Sequence, residues 1–331
     1  MHEAKFDVVG VGHAIVDILA NTTDAFLTEH AVAKGAMTLV DGFRAETLGR
    51  AMRNAIEASG GSAANTMVGI ASFGGGAAFI GKVNDDRLGQ VFAADIHKSG
   101  VHFDGTPAKG GAATASSHIL ITPDGQRSMN TYLGCAAALQ DGDVSAERIS
   151  AAKILYVEGY LWDTPGAKAA IRKAIGRAKA ASRKVAFTLS DPFCVGRWRD
   201  EFKELLARDV DILFANEAEA KALYETERFD DAFQAIRKWG KAAAITRSAH
   251  GSVVLEDGRV HILDAEPVRR VEDTTGAGDQ YAAGFLFGYA RGATLDACGR
   301  LGGLAAAEVI SHIGPRPRIS LKALAAQAGL I

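Results

Sequence analysis

The sequence predicts an α/β fold, in which a mostly parallel central sheet is flanked by helices and carries a small additional β-sheet. Short apolar runs, each the length of one buried strand, recur along the chain. They alternate with alanine-rich, charged stretches of helical pattern, such as residues 166–182 and 217–240. This alternation favours a parallel sheet that is covered on both faces. The apolar runs lie at residues 6–11, 77–80, 154–157, 185–189, 212–215 and 242–246.

Two other stretches, residues 18–45 and 108–133, predict the small sheet. The second alternates apolar and polar residues through 117–121 and then turns at Pro123-Asp124-Gly125, which is typical of a hairpin. We find no linker that divides the chain in two, so we expect one unit over residues 1–331. The expected large domain covers about 1–12, 46–107 and 134–331, and the expected small β-sheet covers about 13–45 and 108–133.

Charge and composition disfavour several classes of protein. The chain has 37 basic and 39 acidic residues, a net charge of -2, and so offers no general attraction for nucleic acid or an anionic membrane. It has no stretch of about 20 apolar residues. Its three cysteines lie far apart, and acidic residues stand where a signal peptide would be basic. We expect a cytoplasmic protein that binds a small molecule, as a monomer or a homodimer.

Residues 273–279, Asp-Thr-Thr-Gly-Ala-Gly-Asp, form the most informative segment. A helical pattern with apolar residues on one face follows the glycines directly. The N-terminus of a helix presents free backbone N–H groups to an anion such as phosphate, and glycines allow a close approach. Asp279 could cap this helix, or it could be a general base for an attacking hydroxyl group. The segment alone leaves both interpretations open.

This segment, together with residues 281–285, resembles the C-terminal signature of the ribokinase (PfkB) family of sugar and nucleoside kinases. Residues 60–65, Gly-Gly-Ser-Ala-Ala-Asn, and the stretch 79–89 resemble the N-terminal signature. Residues 216–219 resemble the Asn-x-x-Glu motif of the family. The motifs follow one another in the family's order, and the resemblance covers about residues 6–318. It implies a ribokinase-like fold, in which the small sheet is a lid over the acceptor site.

The resemblance implies a role for each matched residue on the acceptor side. Asp279 would be the catalytic base. The anion hole beside it would be formed by Gly276, Ala277 and Gly278. Asp17 would accept hydrogen bonds from vicinal hydroxyl groups, and Arg127 would reach the phosphate when the lid closes. The residues expected to bind the acceptor are His13, Asp17, Gly60, Gly61, Ser62, Asn65 and Arg127.

The same resemblance implies ATP and Mg²⁺ as cofactors, with a monovalent ion such as K⁺. Glu219 would hold Mg²⁺ through water, beside the phosphates of the nucleotide. Taken without the resemblance, Asn216 and Glu219 could be an exposed helix start. Asp273 and Thr275 would hold the monovalent cation. The residues expected to bind the nucleotide are Asn216, Glu219, Thr246, Gly251, Gly278 and Gly303.

Within the family the chain is most similar to adenosine kinases. Residues 188–193, Thr-Leu-Ser-Asp-Pro-Phe, resemble their Asn-Leu-Ser-Ala-Pro-Phe stretch, and residues 159–162 lie where they place aromatic side chains. Tyr160, Trp162 and Phe193 would offer flat apolar surfaces to a purine, although each could equally be a core aromatic. The expected reaction is therefore the ATP-dependent phosphorylation of the 5'-hydroxyl of adenosine to AMP.

Three residues depart from the family pattern. His13 stands where adenosine kinases have Asn, Ser248 replaces a glycine of Thr-x-Gly-x-x-Gly, and Gly303 stands where many relatives have Asn. The alternatives are a sugar kinase of the same family, for ribose, fructose or a keto-sugar acid, and a non-catalytic nucleoside-binding protein. A nicotinamide oxidoreductase is disfavoured, because Ile15 interrupts the dinucleotide fingerprint that begins at Gly10.

Overall fold

The computed structural model describes residues 4–103, 105 and 107–331; residues 1–3, 104 and 106, which the expected domain ranges include, lie outside it. The strands are β1 Phe6–Val11, β2 Ile15–Asn21, β3 Met37–Leu39, β4 Ile56–Gly60, β5 Ala77–Ile80, β6 Ala115–Ile121, β7 Arg127–Tyr132, β8 Ala152–Glu158, β9 Lys184–Thr188, β10 Ile212–Asn216, β11 Ala242–Thr246, β12 Ser252–Glu256 and β13 Arg259–Leu263. The α-helices are α1 Asp24–Glu29, α2 Gly42–Ala51, α3 Ser62–Ser72, α4 Arg87–Lys98, α5 Ala146–Ser150, α6 Pro165–Ala180, α7 Pro192–Arg208, α8 Glu217–Tyr224, α9 Phe229–Trp239, α10 Ala277–Tyr289, α11 Leu295–Ile310 and α12 Leu321–Gln327.

The larger sheet has the strand order β13-β12-β11-β10-β9-β8-β1-β5. Neighbouring strands from β11 to β5 are parallel, and β12 and β13 add an antiparallel edge. The apolar runs of the sequence form β1, β5, β8, β9, β10 and β11. The prediction of a mostly parallel central sheet is therefore confirmed.

Helices cover both faces of this sheet, as predicted. Successive residues of one strand enter opposite cores: Leu155 of β8 packs with α6 and α7 on one face, and Tyr156 packs with α3 and α10 on the other. Parallel strands end at the same edge of a sheet, and ligands of such folds bind beyond that edge. At this edge, His13 follows β1, Glu158 is the last residue of β8, and Asn216 is the last residue of β10.

The smaller sheet has the strand order β3-β7-β6-β2-β4. Strands β6 and β7 form the predicted hairpin. Strand β4 was not expected here, because we placed residues 46–107 in the large domain. It pairs with β2, although α1, β3 and α2 separate the two strands in the sequence. Its sequence, Ile-Glu-Ala-Ser-Gly, alternates apolar and polar residues but contains only one large apolar side chain and no apolar run, so we did not assign it to a strand.

The two faces of the smaller sheet differ in their surroundings. Val16 and Ile18 of β2 point to the outer face, where they pack with Leu27 of α1 and Leu48 of α2. Asp17, which lies between them, points to the inner face. The inner face is thus the one that a ligand could reach. In the described part of the chain, no helix combines the length and apolar character that a bilayer span needs.

Candidate active site

Helix α10 places Asp279 in its first turn. The N-cap of the helix is Gly276, at φ 79°, and no side chain caps the helix. Asp279 instead accepts hydrogen bonds from two side chains of α3: Ser62 Oγ to its Oδ1, at 2.6 Å, and Asn65 Nδ2 to its Oδ2, at 3.1 Å. The capping interpretation is therefore wrong, because this carboxylate is oriented across the junction of two helices.

The surroundings of Asp279 adjust its basicity. Burial raises its pKa to about 6, and the hydrogen bonds from Ser62 and Asn65 oppose that rise. The charge of Glu158 raises the pKa further, whereas the charge of Arg316 lowers it. A carboxylate with a pKa near 6 is ionised at neutral pH and accepts a proton more readily than a free aspartate does.

The glycines beside Asp279 have different roles. A Cβ atom on Gly276 would lie 2.6 Å from the Pro315 carbonyl oxygen, and a Cβ on Gly278 would meet no described atom within 4 Å. The first N–H groups of a helix lack intrahelical partners, but that of Ala277 already donates to the Thr274 carbonyl at 3.2 Å. The N–H groups of Gly278 and Asp279 are thus the donors that an anion would meet here.

Asp17 lies on the inner face of the smaller sheet, close to the first turns of α3 and α10. Burial raises its pKa to about 7, the charges of Arg316 and Arg127 lower it, and the charge of Asp279 raises it. A Cβ atom on Gly60 would lie 2.3 Å from Asp17 Oδ2. The turn from β4 into α3 can therefore pass over the carboxylate only because residue 60 is glycine.

The next residue, Gly61, is equally constrained. It has φ 96°, and a Cβ atom there would lie 2.2 Å from the His13 carbonyl oxygen. Backbone in this region favours glycine over residues with a side chain. The Gly-Gly-Ser motif thus brings the start of α3 directly against the loop that follows β1.

A buried glutamate, which the sequence did not indicate to us, anchors that loop. Glu158 is 1% exposed, and its carboxylate accepts the backbone N–H of His13 at 2.8 Å and that of Ala63 at 2.9 Å. His13 Nδ1 also lies 3.2 Å from Glu158 Oε1, whereas Nε2 has no hydrogen-bond partner among the described residues. The imidazole is therefore held through one nitrogen, and its contact with an acceptor remains a prediction.

Arg127 reaches from the smaller sheet to the motif that contains Asp279. Its guanidinium donates to Thr275 Oγ1 at 2.9 Å and forms an ion pair with Asp273. Asp273 also accepts the N–H groups of Thr275, at 2.9 Å, and Gly314, at 2.7 Å. The cation that we expected at Asp273 and Thr275 remains a prediction, and it requires Arg127 to leave this position.

Asn216 and Glu219 form a reciprocal cap at the start of α8. Glu219 N donates to Asn216 Oδ1 at 2.8 Å, and Asn216 N donates to Glu219 Oε2 at 2.9 Å. Glu219 is buried, not exposed, and burial raises its pKa to about 7. Each of its oxygens retains a lone pair for a water molecule, so the pair fits Mg²⁺ that is held through water. The described residues contain no cluster of three or more His, Cys, Asp or Glu suited to a metal ion.

The other residues expected at the nucleotide lie at the far end of the larger sheet. Thr246 ends β11, and Gly251 follows at φ 72°, where a Cβ atom would lie 1.9 Å from the Leu263 carbonyl oxygen. Ser248, which replaces a family glycine, adopts φ 50° and so keeps the glycine-like backbone. Gly303 lies within α11. Their contacts with ATP remain predictions.

The three aromatic residues have different environments. Trp162 is fully buried and packs edge to face against Phe187 and Phe202, so our assignment of it to the acceptor site is wrong. Phe193 is 80% exposed at the start of α7. Tyr160 is half-buried and donates to the Ser190 carbonyl at 3.3 Å; burial and the nearby Asp191 raise its pKa. Only the last two remain accessible to a ligand.

A two-sheet α/β fold with a buried carboxylate, Asp279, in the first turn of a helix is the arrangement expected of a phosphotransferase for a small molecule. The chain belongs to the pfkB family of carbohydrate kinases, whose model matches residues 36–321. Kinases of this family use ATP, typically with Mg²⁺. The chain is therefore a kinase of sugars or nucleosides.

Three similar proteins carry two kinds of description. The structure of adenosine kinase from Sinorhizobium meliloti is 53% identical, with a TM-score of 0.92, and the match covers 98% of this chain and 100% of that chain. A probable sugar kinase from Rhizobium etli CFN 42 is 49% identical, with a TM-score of 0.93 and coverage of 99% and 100%. Probable fructokinase-6, chloroplastic, of Arabidopsis thaliana is 32% identical over 247 residues, which are 70% of this chain and 62% of that protein.

Proposed function

We propose that the protein transfers the γ-phosphoryl group of ATP to the 5'-hydroxyl of adenosine, giving AMP and ADP. The inner face of the smaller sheet carries this proposal. Asp17 aligns with Ser117 and Thr131 across β2, β6 and β7, and the two hydroxyl groups lie 2.9 Å apart. This polar row suits the hydroxyl groups of a ribose.

The adjoining part of the same face is apolar. The next row contains Leu19, Ile119, Met129 and Met37, and Leu39 and Ile56 lie on the flanking strands. Met37, Leu39 and Ile56 are 46%, 54% and 70% exposed. A flat purine would cover such side chains while its ribose reached Asp17, whereas a free sugar has no apolar part to place there.

The proposed chemistry uses the Asp279 carboxylate, the N–H groups at the start of α10 and the guanidinium of Arg127. Asp279 would take the proton of the 5'-hydroxyl as that oxygen attacks phosphorus, and the phosphoryl group would pass to the sugar with ADP as leaving group. The N–H groups of Gly278 and Asp279 would stabilise the charge on the transferred group. Mg²⁺, when bound, would neutralise phosphate charge. Closure of the smaller sheet, with Arg127 at its edge, would exclude water as a competing acceptor.

A sugar kinase is the second candidate. The similarity to a probable fructokinase favours it, and the row of Asp17, Ser117 and Thr131 could bind the diol of a free sugar equally well. A non-catalytic nucleoside-binding protein is disfavoured, because it has no need for a base oriented by both Ser62 and Asn65.

ATP turnover on adenosine, inosine, guanosine, ribose and fructose separates these candidates. We expect kcat/KM for adenosine to exceed that for either free sugar by about 100-fold, because burial of the purine ring contributes several kcal/mol of binding free energy. Turnover confined to the free sugars would refute the nucleoside assignment.

A matched pair of variants tests the exposed apolar side chains of the inner face directly. Leu39→Ser should raise KM for adenosine by about tenfold and leave KM for ATP unchanged, because it removes apolar surface from the inner face. Phe43→Ser, on α2, removes another exposed apolar side chain away from that face and should change neither value. Equal effects of the two substitutions would contradict the proposed position of the purine.

A further inference from the structure

Residues 314–316 form a loop between α11 and α12 that contacts α10, the helix that contains Asp279. Gly314 donates its N–H to Asp273 at 2.7 Å, and the Pro315 carbonyl accepts from Gln280 Nε2 at 3.0 Å. Gln280 is fully buried and donates from the same nitrogen to the Asn65 carbonyl, also at 3.0 Å. The loop is thus fixed to both helices that meet at Asp279.

The next residue of this loop, Arg316, extends its side chain beneath α3. Its Nε donates to Asn65 Oδ1 at 3.1 Å, and Nη1 donates to Asp95 Oδ2 at 2.9 Å and to Ser59 Oγ. The side chain is 13% exposed, and Nη2 has no hydrogen-bond partner among the described residues. Asp95 also accepts two hydrogen bonds from Ser59, in β4. The guanidinium of Arg316 therefore links the smaller sheet to Asn65, which donates to Asp279.

The donor and acceptor roles in this chain of contacts are fixed by chemistry. A guanidinium only donates hydrogen bonds, so the atom of Asn65 that faces Arg316 must be the amide oxygen. The amide nitrogen then points to Asp279 and donates to its carboxylate. Without Arg316, the amide could turn over and present its oxygen to the carboxylate, which is repulsive.

The charge of Arg316 acts on both acceptor-site carboxylates. It lowers the pKa of Asp17 and that of Asp279. Among the described residues, the charged and titratable groups that act on Asp279, or on which Asp279 acts, include Asp17 of β2, Glu158 of β8, Tyr156 of β8, Tyr160, Glu219 of α8 and Arg316. Arg316 is the cation among these groups that also touches a hydrogen-bond partner of Asp279.

We propose that Arg316 is a positioning residue for proton transfer, which orients Asn65 toward Asp279 and holds a positive charge beside the two acceptor-site carboxylates. This inference rests on the proposed function only in that Asp279 is the base. It does not depend on which acceptor is used. Arg316 itself would touch neither the acceptor nor ATP.

Dependence of kcat/KM on pH, with the best acceptor of the wild-type protein, tests the proposal. Burial already raises the pKa of Asp279 to about 6, so removal of a neighbouring cation raises it further. In Arg316→Gln, which keeps one donor but loses the charge, the acid limb should move up by about one pH unit and the maximum should fall about tenfold. In Arg316→Lys, which keeps the charge but not the planar fork, the limb should stay in place while kcat falls at least about fivefold.

Arg318→Gln is the matched control. Arg318 lies on the same loop, is exposed, and donates its side chain to the Ile313 carbonyl rather than to α3. Its pH profile should coincide with that of the wild type. If Arg316→Gln gives the control's profile, the proposal is overturned. If Arg316→Gln unfolds below the assay temperature, Arg316→Lys decides, and a wild-type kcat in that variant overturns the proposal. Absence of wild-type turnover on adenosine would refute the nucleoside assignment instead.

Discussion

Ser62 Oγ donates a 2.6 Å hydrogen bond to Asp279 Oδ1 and so joins two residues that are 217 positions apart in the sequence. Ser62 is the first residue of α3 and Asp279 the third residue of α10. The contact brings the N-terminal and C-terminal family motifs into one site. It also makes the hydroxyl group of Ser62 one of the groups that set the ionisation of the proposed base.

Ser62→Ala should shift the acid limb of kcat/KM to higher pH. The base acts only when ionised, so activity falls as the pH falls through its pKa, which is about 6. Because the hydroxyl group stabilises the carboxylate, its loss raises that pKa, and activity should begin to fall at a pH higher by about half a unit to one unit. Ser72→Ala, at the far end of α3, is the control. Identical limbs for both variants would show that Ser62 does not act on the base.

Gly276→Ala and Gly278→Ala should separate folding from catalysis. The first places a methyl group 2.6 Å from the Pro315 carbonyl at φ 79°, and should cost about 1–3 kcal/mol of the free energy of unfolding. The second meets no described atom within 4 Å, so thermal unfolding should be unchanged. Its methyl group would crowd the phosphoryl group, however, and kcat/KM for ATP should fall about tenfold or more. Wild-type kinetics in Gly278→Ala would place the anion elsewhere.

Gly60→Ala should weaken binding of the acceptor more than binding of the nucleotide. The added methyl group would lie 2.3 Å from Asp17 Oδ2 and must displace that carboxylate. We expect KM for the acceptor to rise about tenfold or more, with KM for ATP within about twofold, since a hydrogen-bonded diol loses its partner. Gly176→Ala, within α6, adds a methyl group that meets no described atom within 4 Å and is the control. A parallel rise in both KM values would argue against Asp17 as an acceptor residue.

Asp17→Asn should raise the melting temperature at pH 7.5. Folding raises the pKa of Asp17 from 3.8 to about 7, so the folded state holds a proton between these values that the unfolded state lacks. The resulting stability is complete below pH 4 and is lost as the pH rises toward 7. At pH 7.5 the substitution should therefore raise the melting temperature by about 2–4 °C. At pH 5, where Asp17 is already neutral in the folded state, the rise should be smaller.

The exposed Asp200 provides the control for this stability experiment. Asp200→Asn should leave the melting temperature unchanged at both pH values. Binding of the acceptor should be weakened by Asp17→Asn and unaffected by Asp200→Asn. A gain in Asp17→Asn that is equal at pH 5 and pH 7.5 would exclude the titration of this carboxyl group as its cause.

Local patterns in the sequence predicted the parts of the fold that local physics determines. The apolar runs of β8 and β10 are buried on both faces, and such runs read as strands without knowledge of their partners. Strand β4 could not be predicted in this way, since its residues 56–60 gain their strand structure from pairing with β2. Pairing between distant strands has no local signature.

The candidate site divides in the same manner. The motif residues Asp279 and Asn65 lie together as the resemblance implied. Glu158 and Arg316 were missed, because each acts through contacts with residues far away in the chain. Two signals existed: an acidic residue closes the apolar run of β8, and Arg316 stands between two prolines, where the backbone is rigid. Trp162 was misassigned, because a core aromatic and a ligand-facing aromatic share one pattern.

The rate of AMP formation from ATP and adenosine by Asp279→Asn tests the central claim most directly. The amide nearly matches the carboxylate in shape but is too weak a base to accept the hydroxyl proton. We predict that kcat falls about 1000-fold, while the dissociation constant for adenosine, measured by calorimetry, stays within about threefold of the wild-type value. A kcat within tenfold of wild type, with adenosine still bound, would contradict the assignment of Asp279 as the base.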